Sequence, residues 1–286
     1  MRRSDEGASM IHPMTPRRDD RRLRRGAAFP LRRLTAPMRA LPDFFVAGAM
    51  KCGTSSLFHY LRQHPRMVGP VRKELHHFDH GSHHGRDFGW YRAHFSMRAA
   101  LRGRVTGEAT PDYMYGPAVP ALLAAMVPMA RIVVVLRDPV ARPISHYGHE
   151  VRMGREYLSL EEAISAGEAR LAAARAAGPA GRETWMHACC KSRVHYAERI
   201  ARLSGVFPPD RILIIGGGLL FRDPEQATAR VFDFLDLPRP TNAIAYAIKN
   251  GGGGTDVPEG VRDALATHFA PHEMRLTEML GTPPDW

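Results

Sequence analysis

Lysine is nearly absent from a chain that is otherwise rich in positive charge. Of its 40 basic residues only Lys51, Lys73, Lys191 and Lys249 are lysines. Where a generic cation suffices this sequence uses arginine, so a retained lysine marks a place suited to a compact, mobile ammonium. Cysteine is scarce as well. Three cysteines, two of them adjacent as Cys189-Cys190, form neither a disulfide framework nor a metal-binding spacing. That usage points to a reducing, cytoplasmic compartment. No apolar run is long enough for a signal peptide or a membrane anchor, so no integral membrane span is expected.

The formal net charge is +11, and it is unevenly spread. Residues 1–40 hold eleven arginines against Asp5, Glu6, Asp19 and Asp20, which leaves this segment with +7 of the total. It has prolines, arginine pairs and no apolar periodicity, and reads as a disordered arginine-rich tail. The rest of the chain is only mildly basic, which argues against nucleic acid as a partner. No repeat and no linker divides the remainder, so one domain is expected over 41–286.

Three apolar runs predict buried parallel strands: "DFFVAGA" at 43–49, "RIVVVLRDP" at 131–139 and "RILIIGG" at 211–217. Thr54 is expected to cap a helix running to about Gln63, and a second helix is expected from Asp138 as N-cap and Pro139 as first helical residue. Further helices are expected near 117–128, 160–175, 184–204 and 258–280. Strands alternating with helices imply an α/β fold with a central parallel sheet.

Ligands of such sheets bind at the carboxyl ends of the strands. The first strand delivers "GAMKCGTSSL" (48–57) to that edge. It is close to a nucleotide-triphosphate loop, except that the lysine precedes the second glycine instead of following it. Amides of Gly53, Thr54 and Ser55 at a helix start suit an anion, with Lys51 in the loop before them. In "LRDPVARPISHY" (136–147), Arg137 ends a strand and Ser145 lies on the next helix. A guanidinium fork with a hydroxyl suits a second phosphate; an ordinary ion pair is the competing role for the arginine.

Together these stretches resemble the 5′-phosphosulfate loop and 3′-phosphate motif of the sulfotransferases that use 3′-phosphoadenosine 5′-phosphosulfate (PAPS). The likeness is strongest to the heparan-sulfate-type branch and its bacterial relatives. "KELHHFD" (73–79), "FGWYRAHF" (88–95), "GEATPDYMY" (107–115) and the terminal "GTPPDW" follow that branch in order. The resemblance covers about 41–286. It implies a P-loop-like sulfotransferase domain that moves a sulfuryl group from PAPS to a hydroxyl or amine of a carbohydrate-like or small-molecule acceptor. It places Lys51, Cys52, Gly53, Thr54, Ser55 and Ser56 on the 5′-phosphosulfate, and Arg137 and Ser145 on the 3′-phosphate. Lys249, Gly251 and Gly252 fall in the loop over the 3′-phosphate and adenine. Glu74 takes the position of the general base, with His76 able to share that role, and Lys51 stabilises the leaving phosphate.

Ala109 stands where heparan-type enzymes carry a lysine, and His77 replaces an aromatic. Both departures lie on the acceptor side. His76, His77, His80, His83 and His84 lack a spacing that fixes a metal site, and no metal is expected. A P-loop kinase would need a lysine beside Thr54 and an aspartate for Mg²⁺, neither of which is evident. It stays as an alternative, with a non-catalytic nucleotide- or nucleic-acid-binding protein.

Overall fold

The computed structural model describes residues 28–81, 86–188, 191–249 and 256–286. In chain order, helix α1 (Ala28–Leu34) precedes strand β1 (Phe44–Gly48), helix α2 (Thr54–Leu61) and the short strand β2 (Met67–Val68). Next come α3 (Phe88–Arg92), β3 (Val105–Ala109), α4 (Val119–Met126), β4 (Arg131–Leu136) and α5 (Ala141–Arg152). The remainder is α6 (Leu160–Ala176), α7 (Arg182–His187), α8 (Tyr196–Ser204) and β5 (Ile212–Gly216). It ends with α9 (Gly217–Arg222), α10 (Pro224–Phe234) and α11 (Glu259–Leu280).

The three apolar runs are β1, β4 and β5; β4 is buried from Ile132 onward, whereas in β5, an edge strand and not the buried one expected, only Ile215 is buried. Continuous apolar strands are stable only when both faces are covered, and every residue of β1 is buried. The sheet is parallel throughout, in the order β2-β3-β1-β4-β5. Because β1 sits between β3 and β4, the chain leaves it toward both edges. The crevice at the carboxyl ends of β1 and β4 is the switch point where such sheets take ligands.

Strand β3 has no apolar run to announce it, since its sequence is VTGEA. Glu108 in its middle is fully buried, which ordinarily argues against a strand core. Three hydroxyls satisfy it: Tyr91 Oη donates at 2.6 Å, Thr110 Oγ1 at 2.7 Å and Tyr113 Oη at 2.8 Å. Burial still raises its pKa against those three bonds.

Two expected boundaries change. Residues 28–40 were assigned to the tail, yet they form α1 and a 3₁₀ turn. Arg32 donates to the carbonyls of Ala93 (2.6 Å) and Phe95 (2.8 Å), and buried Arg39 donates to Phe95 at 2.8 Å. These arginines are structural donors, which a charge count does not reveal. The single helix expected over 184–204 is instead α7, a 3₁₀ turn (Lys191–Val194) and α8. Buried Arg193 breaks it by capping the carbonyl of Trp185 and pairing with Asp112 at 3.3 Å.

The chain's last residues return to the sheet edge. The amide of Gly218 donates to Asp285 O at 3.0 Å. A Cβ at Gly218 would lie 2.0 Å from Trp286 O, and one at Gly216 1.9 Å from Asp285 O. The glycines after β5 therefore admit another stretch of backbone.

Candidate active site

At the end of β1 the loop turns on two residues with left-handed backbone, Lys51 (φ 69°) and Gly53 (φ 95°). Gly53 opens α2, and a Cβ there would lie 2.8 Å from Leu220 Cδ2 on α9. Conformation and close packing both require glycine. Ala49 N donates to Val135 O at 2.7 Å and Met50 N to Tyr115 Oη at 3.2 Å, so the loop is held from two sides. The start of α2 carries Thr54 and Ser55 at the crevice, where the helix dipole and terminal amides favour an anion.

Cations converge on this loop. Arg137 Nη1 donates to Lys51 O at 3.1 Å, and the fully buried Arg142 donates from Nε to Met50 O at 3.3 Å. Burial, then Arg152, Arg137 and Arg142 against an opposing Glu150, lowers the Lys51 pKa to about 8. On α5, Arg142, Ser145, His149 and Arg152 recur at helical spacing and form one stripe. That stripe faces Lys51: Arg142 and Arg152 depress the lysine's pKa. Lys51 in turn, after burial, lowers that of His149. Ser145 is half-buried on it. A polyanion bound in the crevice would relieve the mutual repulsion among these cations.

Two residues expected to touch the ligand are turned inward. Cys52 is fully buried, its Sγ 3.6 Å from Met50 O and 3.7 Å from Tyr196 Oη, and burial raises its pKa. An inert thiol of this kind packs; it does not react. Ser56, also fully buried, accepts from the Lys249 amide at 2.9 Å. It is a latch. The segment 242–249 runs along α2, where Gln63 bonds Ala245 through both its amide atoms (2.9 and 3.0 Å) and Tyr246 meets Tyr60 edge-on. Lys249 is thereby brought to the start of α2. Gly251 and Gly252 lie outside the described residues.

The opposite wall is the segment 73–79. Lys73 Nζ bridges Ser55 Oγ (3.0 Å) and Glu74 Oε1 (2.6 Å), joining the carboxylate to the anion loop. Glu74 and His76 both have left-handed backbone (φ 58° and 51°) around the buried Leu75. Non-glycine residues hold that conformation only when their surroundings impose it. Glu74 N donates to Ala109 O at 3.1 Å, and His77 N to Tyr113 Oη at 3.2 Å. The buried Glu108 cluster thus underlies this segment through Tyr113.

His76 Nδ1 lies 2.8 Å from Asp79 Oδ2. Burial pulls the His76 pKa down, but the bond and charge of Asp79, with Asp112 and Glu74, outweigh it and the net shift is upward. Ligand atoms of His76, Asp79 and Asp112 lie within 4.8 Å of one another. Asp79 stands within the quoted "KELHHFD", so its signal was present. Asp112 and Arg142 likewise stand within the quoted "GEATPDYMY" and "LRDPVARPISHY", but nothing local gave them or Tyr196 a role, because their partners lie far away in sequence.

Comparison with known proteins agrees with this geometry. A family profile described as the sulfotransferase domain matches residues 41–280. Heparan sulfate glucosamine 3-O-sulfotransferase 6 of Homo sapiens is 33% identical over 274 residues, covering 87% of this chain and 74% of that protein. The 3B1 enzyme of Mus musculus is 34% identical over 207 residues, 71% of this chain and 48% of the relative. This chain thus spans about half the length of several curated relatives it matches. A crystal structure of a sulfotransferase from Alicyclobacillus acidocaldarius is 29% identical with a TM-score of 0.70, covering 85% of this chain and 97% of its own. No helix among the described residues is long and apolar enough to cross a membrane. The chain belongs to the sulfotransferase-domain family, as a PAPS-dependent sulfotransferase domain related to the heparan-sulfate-type enzymes.

Proposed function

We propose that this protein transfers the sulfuryl group of PAPS to a hydroxyl or amine of a carbohydrate-like or small-molecule acceptor. One observation carries the reading: the Lys73 ammonium spans Ser55 on the anion loop and Glu74 on the opposite wall. An acceptor-activating carboxylate and a donor-binding loop are held together by one cation.

In this scheme the amides of Gly53–Ser55 and the Lys51 ammonium hold the 5′-phosphosulfate. Arg137 and Ser145 hold the 3′-phosphate, and the Lys249 segment covers it. Glu74 accepts the acceptor's proton as the acceptor oxygen or nitrogen bonds to sulfur. The sulfur–oxygen bond to the 5′-phosphate breaks, and its electron pair stays on the phosphate oxygen beside Lys51. Glu74 suits this role better than His76, because the Asp79 contact favours the protonated imidazole, a donor rather than a base. Catalysis then rests on positioning and electrostatics. The names of the heparan-sulfate relatives favour a glycan-like acceptor, while Ala109 removes one positive charge from the acceptor wall.

The test is a panel of hydroxyl and amine acceptors incubated with PAPS and read by mass spectrometry for one added SO₃. Calorimetry with adenosine 3′,5′-bisphosphate, with and without EDTA, tests the donor site. Binding that requires Mg²⁺, or that prefers ATP, overturns the reading.

A further inference from the structure

Three histidines outside this crevice converge in the fold. His268 and His272 lie one helical turn apart on α11, so their side chains share a face. His195 immediately precedes α8, which packs against α11. The three imidazoles offer nitrogen atoms that all lie within 4.8 Å of one another, and all three residues are half-buried. The rings of His195 and His272 are 3.8 Å apart at 11°.

The polar accounting of this cluster is incomplete. Nε2 of His195 and Nε2 of His268 are buried with no hydrogen-bond partner among the described residues. An orphaned buried nitrogen is costly, and native structures supply such atoms with a partner, a water or an ion. Two carboxylates, Glu198 and Glu168, and two cations, Arg199 and Lys191, stand near the cluster. Glu198 Oε1 is 3.9 Å from His195 Nδ1, on the side away from the orphaned Nε2. Glu168, held by Ser192 N at 2.7 Å, acts electrostatically on His268. Ligating histidines commonly turn their second nitrogen to an acidic neighbour, and Glu198 is the carboxylate that would serve His195 on closing from 3.9 Å.

We propose that His195, His268 and His272 form a binding site for Zn²⁺, which clasps α8 to α11. Imidazole nitrogens bind Zn²⁺ at about 2.0–2.1 Å, so a tetrahedral set needs them roughly 3.3 Å apart. Reaching that spacing requires the His195 and His272 rings to turn out of their stacked arrangement so that their nitrogens converge. A fourth position stays open to water. The clasp reaches the donor loop through one residue. Tyr196 follows His195, donates from Oη to Arg137 O at 3.1 Å and touches Cys52 Sγ. Metal at the histidines braces the base of the loop that carries Lys51 and takes no part in the chemistry.

The experiment needs no turnover, so it is separable from the proposed reaction. The full chain, stripped with EDTA and dialysed, is titrated with Zn²⁺ by calorimetry, and its Tm is followed by scanning calorimetry. Co²⁺ as a spectroscopic substitute reports coordination geometry. One tight equivalent is expected, with a higher Tm and a tetrahedral Co²⁺ spectrum. His268→Ala and His272→Ala should each weaken that equivalent beyond the roughly 10–100-fold typical of outer-shell losses, and Glu198→Gln should fall within that range. His268→Gln guards against misfolding, provided its metal-free Tm matches the parent. His83→Ala/His84→Ala serves as a control for the other histidine-rich segment. Zn²⁺ binding that is absent, or unchanged in the α11 variants, or lost only in that control, overturns the proposal.

Discussion

The two walls of the crevice are built on opposite principles. The donor wall is local. One strand, one turn and the first residues of α2 present amides and a lysine, and the nearest arginine ends the adjacent strand. The acceptor wall is assembled from distant parts. Glu74 and His76 hold left-handed backbone. They stay there because Ala109 O accepts from Glu74 N, Asp79 pairs with His76, and Tyr113 holds the amide of the adjoining His77, with the Glu108 cluster beneath. A site for a constant anion can be made from backbone, whose donors come with every helix start. A site for a particular acceptor needs individual side chains held in place, each supported by residues from elsewhere.

The sharpest way to break this contrast is to remove the base while keeping its shape. Glu74→Gln should lower kcat by roughly 10²–10⁴ and leave affinity for the bisphosphate within a few-fold. An active Glu74→Gln beside a dead His76→Ala would move the base to the histidine. The reciprocal change on the donor wall is Arg137→Ala. Loss of a charge-assisted fork worth about 1.5–3 kcal/mol should weaken bisphosphate binding by about tenfold to several hundredfold. If kcat at saturating donor also collapses, the two walls are not separable.

The pH profile sharpens the comparison. Lys51 has a pKa lowered to about 8, so it is charged below that pH and neutral above it. Values of kcat/KM, which report the free enzyme, should fall about tenfold per pH unit on an alkaline limb near pH 8. Bound donor favours the charged form, so the limb should move upward in kcat. A flat profile to pH 9.5 would show that Lys51 stays charged or is not needed.

The smallest effect is expected from the N-terminal arginines. Arg39 and Arg32 hold the carbonyls of residues 93–95, and His94 O accepts from Val71 N at 2.9 Å, just before Lys73. Arg39→Ala should therefore lower Tm by several degrees, from a loss of about 1–3 kcal/mol. It should raise the acceptor KM a few-fold and leave bisphosphate binding unchanged. A shift in donor affinity instead would mean that this buttress serves both walls.

Strands β1, β4 and β5, the helix at Thr54 and the glycine loop before it were legible because apolar runs and glycine act on their near neighbours, although Gly53 and not Thr54 is that helix's N-cap. Asp138 Oδ1 does accept from Ala141 N at 2.6 Å, but the helix begins at Ala141 with Val140 as its N-cap, so Pro139 lies in the turn before it and is not the expected first helical residue. Strand β3 was not legible, because a buried glutamate stands in it. Its compensation comes from Tyr91 and Tyr113, which no local pattern links to Glu108. The break of the long helix at Arg193 has the same cause, since the partner that fixes this arginine is Asp112.

By itself, the sequence determined the parallel α/β sheet, the glycine loop proposed to hold the anion, and the order of motifs that marks the family. These depend on periodicity and on short-range backbone geometry, both written in consecutive residues. Only the tertiary structure decided that Cys52 and Ser56 face inward and that Lys73 spans the two walls. It also packed residues 28–40 and gathered His195 with His268 and His272. Burial and pairing across long stretches of chain are properties of the folded surface, and no window of sequence contains both partners.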